Sequence, residues 1–60
     1  MTLPNDPLLL MSVVNTKLRD VYPSLDALCD DLNVPAEEIT APLAAAGYVY
    51  STELNQFIRQ

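Results

Sequence analysis

The chain has 60 residues, half of them hydrophobic, and eight acidic side chains against three basic ones give a net charge of −5. A chain this short is one domain, 1–60, and buries only about 60% of the surface it exposes when unfolded, so it needs a dense apolar core or a partner that shares one. The single cysteine excludes an internal disulfide, the lack of histidine and of a second thiol excludes a His/Cys metal site, and the acidic balance works against nucleic acid and anionic membranes, which recruit partners through Lys and Arg.

Asp6 followed by Pro7 reads as an N-cap and first helical residue, because the carboxylate accepts orphan amides and proline has none to lose. The first helix is predicted over about 7–21, stopped by Pro23. At about 100° per residue, Leu10, Met11, Val14, Leu18, Val21 and Tyr22 share one arc, while Leu9 and Val13 project elsewhere. This helix has more apolar surface than one face can hide. The apolar run Leu8–Met11 is far too short to span a bilayer, and Met1–Asp6 has no basic segment of the kind that opens a secretory leader, so a cytoplasmic location is expected. One unpaired thiol fits a reducing compartment.

Ser24 is a good N-cap for a second helix over about 25–32, with Leu25, Leu28, Cys29 and Leu32 on one face and Asp26, Asp30 and Asp31 on the other. Asn33-Val34-Pro35 makes a tight turn into a third helix, about 35–46. Glu37 and Glu38 sit in its first turn, where the helix dipole favours them, and Ala36, Ile39, Leu43 and Ala46 are expected to point inward. Gly47 terminates it. Pro42 removes a hydrogen bond in mid-helix, so a kink or an early, tightened end is expected. From Tyr48 the period becomes that of a strand: Tyr48-Val49-Tyr50 and Gln56-Phe57-Ile58-Arg59 flank a turn at 51–55, which predicts a hairpin over about 48–59.

The run from Leu28 to Leu43 has helix-turn-helix spacing, with small Cys29 where two helices cross, apolar Leu32, Val34, Ile39 and Leu43, and Asn33 at the left-handed turn position that glycine usually fills. Three helices and a hairpin make a mainly α fold, a miniature winged helix in outline. Shape alone does not assign an activity. DNA binding would place Pro35, Ala36, Glu37 and Glu38 at the base edges, with no Lys or Arg between Arg19 and Arg59 to hold phosphates. Nucleic-acid binding is therefore the second reading, and it would need a basic partner or a cluster of Lys17, Arg19 and Arg59.

Catalysis ranks third. Cys29 lies on an apolar face with no histidine to act as its base, and it reads as a small core residue. Asp26 and Asp30, one turn apart, read as a solvated face, since no loop has calcium-ligand spacing. Tyr22, Tyr48 and Tyr50 read as core or interface residues. No catalytic residue, cofactor or metal is expected.

The surplus apolar surface points to a partner. Leu8, Leu9 and Val13, with the alanine-rich outer face Ala41, Ala44 and Ala45, are the candidate interface; the alternative is that the hairpin, through Val49, Phe57 or Ile58, covers Leu9 and Val13 within one chain. The polar run at 15–20 holds two of the three basic residues and reads as the solvated side of the first helix. Asn15, Lys17 and Arg19 are weaker candidates for contacting an acidic partner or an anion.

The runs Leu3–Pro7, Ser12–Asp20 and Ser24–Leu32, with Gly47-Tyr48 and Asn55-Gln56-Phe57, resemble a bacterial family of small helical proteins, domain-of-unknown-function family 4250, over essentially the full length. The resemblance implies no activity, ligand or catalytic residue. It does imply a charged third helix, and Thr40–Ala46 departs from that pattern. The reading as a whole is a non-catalytic protein-interaction or self-association module, a homodimer or a binder of another protein, with no membrane partner.

Overall fold

The computed structural model describes residues 3–60. Met1 and Thr2, the first residues of the segment read above as lacking a leader's basic region, lie outside the described residues. The elements run α1 (Pro7–Asp20), α2 (Leu25–Leu32), α3 (Glu37–Ala45), β1 (Tyr48–Ser51) and β2 (Gln56–Arg59). The mainly helical fold with a C-terminal antiparallel hairpin is thus as the sequence predicts.

Both side-chain caps form where expected. The Leu8 N–H donates to Asp6 Oδ1 at 3.0 Å, and the Ala27 N–H donates to Ser24 Oγ at 3.1 Å. Helix α1 ends one residue before the expected boundary. Val21 leaves helical geometry at φ −123°, and its side chain is 65% exposed instead of joining the core. Asn33 closes α2 at φ 56°, ψ 48°, the left-handed conformation that its short polar side chain tolerates.

Helix α3 is shorter at both ends than the predicted 35–46. Ala36 occupies the N-cap and has no side-chain oxygen to offer, and Ile39 N–H bonds the Ala36 carbonyl at 3.0 Å in a tightened first turn. Pro42 does not break the helix. It costs one amide, and the turn after it tightens: Ala46 N–H is shared between the Pro42 and Leu43 carbonyls, and Gly47 N–H reaches Ala44 at 3.0 Å. Ala36 and Ala46 are exposed, contrary to expectation, because both fall beyond the regular turns that orient Ile39 and Leu43 inward. Gly47 follows at φ +92°, which a side chain would strain, and turns the chain into β1.

The core is Leu10, Val14 and Leu18 of α1, Leu25, Leu28 and Cys29 of α2, Ile39 and Leu43 of α3, and Phe57 of β2. Val14, Leu28, Ile39 and Leu43 are wholly enclosed, each burial worth about 1.5–3 kcal/mol. Phe57 brings the hairpin into this core. Its ring lies 5.5 Å from that of Tyr50, its cross-strand partner, at a tilt of 53°.

Candidate functional site

The register pairs Tyr48 with Arg59, Val49 with Ile58, Tyr50 with Phe57 and Ser51 with Gln56. Side chains of directly opposed residues share a face. Tyr50 and Phe57 therefore face the helices, and Val49 and Ile58 form an apolar pair on the outer face, 37% and 40% exposed.

The hairpin is fastened to α1 by side-chain amides. Asn15 Oδ1 accepts from the Phe57 N–H at 2.7 Å while its Nδ2 donates to the Phe57 carbonyl at 3.1 Å. Gln56 Nε2 donates to the Asn15 carbonyl at 3.0 Å. Asn55, held at φ 52°, donates from Nδ2 to the carbonyls of Leu18 and Tyr22, at 3.1 and 3.0 Å, and accepts from the Tyr50 hydroxyl. The same Tyr50 oxygen accepts from the Leu25 N–H at 3.2 Å, at the start of α2. Asn15 is therefore not a solvated contact residue but a strut; its position between the buried and outer faces of α1 brings its amide to the edge of β2. Sequence reasoning missed Asn55 and Gln56 in this role. The available signal was an asparagine at the end of a tight turn, two residues before the aromatic residue that anchors the hairpin.

The other polar candidates stay apart. Arg19 pairs with its neighbour Asp20 at 2.9 Å, both side chains largely exposed, and this hydrogen bond raises the guanidinium and lowers the carboxyl from their ordinary values. Lys17 is half-buried on another side of α1, and Arg59 is exposed at the end of β2. The exposed approach to α3 and its first turn are Pro35, Ala36, Glu37 and Glu38, two of them anionic.

Cys29 is buried and lines a cleft of about 510 Å³ with Asp26 and Asp30. Burial first, then the Asp26 charge, pushes its thiol above the usual value. A nucleophilic thiol needs the opposite surroundings, electropositive and favouring the thiolate. Tyr22, which packs partly against the core, donates its hydroxyl to Asp31 Oδ2.

Of the candidate interface residues, Leu8 and Leu9 are 58% and 57% exposed in the first turn of α1, Val13 is half-buried, and Ala41, Ala44 and Ala45 are exposed on α3. The two groups do not merge. Leu9 lies on the side of α1 away from Leu10, Val14 and Leu18, and Ala41 and Ala45 lie on the side of α3 away from Ile39 and Leu43, so each outer face turns from the core the helices share. Leu54, at the hairpin tip, is a further exposed apolar side chain, at 63%. Among the described residues, no helix is long and apolar enough to cross a membrane.

A family model described as "Domain of unknown function (DUF4250)" matches residues 4–57. No curated protein and no solved structure matches the chain.

Proposed function

This chain belongs to the DUF4250 family, and we propose that it is a non-catalytic protein-interaction module whose copies associate with one another. The observation that carries this reading is the apolar surface the fold leaves uncovered. Leu8 and Leu9 stand side by side in solvent, the Val49–Ile58 pair is partly exposed on the outer face of the hairpin, and the small side chains of Ala41, Ala44 and Ala45 leave the α3 backbone approachable. A chain of this length gains from sharing such surface, since its own core is small. Self-association requires only one of these faces and leaves another for a different partner.

The acidic exterior supports a protein partner over a nucleic acid. The exposed start of α3 carries Glu37 and Glu38, and the three basic residues are spread over α1 and the end of β2. A module without catalysis also agrees with a thiol that is buried and held protonated.

Light scattering over a concentration series tests the reading. The mass is expected to rise from 6.6 kDa toward twice that value. A chain that stays monomeric up to about 1 mM, near the weak end of specific association, would remove it.

A further inference from the structure

The two edges of the hairpin are treated differently. On the β2 side, the Phe57 N–H and C=O point away from β1 and are both taken by the Asn15 amide. Phe57 and Tyr50 are therefore a pair that exchanges no main-chain bonds, and by alternation so are Arg59 and Tyr48. The 2.9 Å bond from the Gln60 N–H to the Gly47 carbonyl, one step further along, agrees with this phase. The N–H and C=O groups of Tyr48 and Tyr50 consequently point outward along the free edge of β1, and among the described residues no hydrogen bond reaches them. Open edges are usually guarded by charge, proline or a bulge. Here the chain has no charged residue from 39 to 52, and β1 has no proline.

We propose that this edge pairs antiparallel with the same edge of a second copy, about a two-fold axis at Val49, to form a four-stranded sheet across the dimer. The inference rests on the self-association reading and says where it occurs. The register is self-complementary: with Val49 on the axis, Tyr48 of each chain lies opposite Tyr50 of the other, so the outward groups of one chain meet the outward groups of its copy. Val49 then meets the second copy's Val49 on the outer face, with the two Ile58 side chains flanking, which joins two small apolar patches into one band. Electrostatics favour the same place. Two chains of net charge −5 repel, and the 39–52 segment is where they can approach without opposing like charges. Ala44 and Ala45, just before the edge, offer no bulk against a neighbouring strand.

The contact is modest. A standard interface takes about 800 Å² from each partner, which would be a large share of the 3934 Å² this chain exposes, and a short strand edge offers less. The dimer is therefore weak, and concentrations from about 10 μM to 1 mM bracket it.

Two substitutions with equal effect on net charge separate the faces. Val49→Lys places two ammonium groups opposite each other at the axis while leaving the outward-facing position solvent-accessible in the monomer. Leu9→Lys alters α1 alone. Sedimentation equilibrium is expected to show association of the unmodified chain, weakened by at least about tenfold in V49K and unchanged in L9K, with circular dichroism confirming that both variants fold. Amide exchange of the unmodified chain gives a second readout: the Tyr48 and Tyr50 N–H groups, unbonded in the monomer, are expected to become protected as concentration rises. If the chain associates but L9K alone weakens it, or if those two amides exchange freely in the dimer, edge pairing is overturned and self-association stands. If both variants weaken association, protection or exposure of the two amides decides. If the unmodified chain does not associate by about 1 mM, both readings fall.

Discussion

The side-chain amide of Asn15 holds both main-chain groups of Phe57, although the two residues are 42 positions apart. An amide presents a donor and an acceptor side by side, as a neighbouring strand would, so Asn15 stands in for a third strand at the β2 edge. Asn15→Ala leaves a part-buried N–H and C=O without partners and is expected to cost about 2 kcal/mol, read from chemical denaturation. Asn15→Asp keeps the acceptor but sets a carboxylate against the Phe57 carbonyl. A carboxyl repelled in this way takes up its proton above its ordinary range in the folded state, so the variant's deficit should narrow as the pH falls toward about 4 and change no further below that.

Asn33 and Asn55 adopt the same left-handed backbone, at φ 56° and 52°, for different reasons. The Asn33 side chain is exposed and only its conformation matters, so Asn33→Gly should change stability by less than about 0.5 kcal/mol, while Asn33→Ala should cost about 1 kcal/mol. Asn55 also ties Leu18, Tyr22 and Tyr50 together. Asn55→Gly keeps the backbone and loses those bonds, and a cost of about 2 kcal/mol is expected in thermal or urea melts.

Tyr22 should titrate above an ordinary tyrosine. Its hydrogen bond to Asp31 raises the phenol most, followed by burial and the Asp31 charge. Because the folded-state value is the higher one, the bond's stabilisation is complete below about pH 10 and is lost as the pH climbs through the raised value. Ultraviolet absorbance or ring-proton shifts would follow the ionisation, and Asp31→Ala should bring it back toward the usual range.

Cys29 should be silent toward an aqueous thiol reagent in the folded protein and react at the ordinary rate in denaturant, since burial both covers the sulfur and disfavours its thiolate. Rapid native labelling at pH 8 would contradict the placement of this residue in the core.

The start of α1, both ends of α2 and the turn after α3 were legible because Asp6, Ser24, Asn33 and Gly47 act on the backbone within a few residues of themselves. Periodicity located Leu10, Val14, Leu18, Leu28, Ile39 and Leu43 in the core for the same local reason. It failed at Val21, Ala36 and Ala46, each at an element's end where the regular angle no longer holds. The polar fastening was not legible. Asn15, Asn55 and Gln56 act on groups 33 to 42 positions away, and nothing in their own neighbourhood distinguishes such an amide from one that faces water. The surplus apolar surface at Leu8 and Leu9 of α1 was legible, whereas its separation from the exposed alanines of α3 depends on how the two helices pack.

The clasp between α1 and β2 also governs the order in which the molecule assembles. Helices α1 and α2 are closed by nearby caps and can flicker into being on their own, but the Asn15–Phe57 and Asn55–Leu18 bonds must wait for nearly the whole chain to loop back. Until that happens the core lacks the buried ring of Phe57. Substitutions in the clasp should therefore act mostly on how quickly the native state opens, a property set by the last fastening made and the first released.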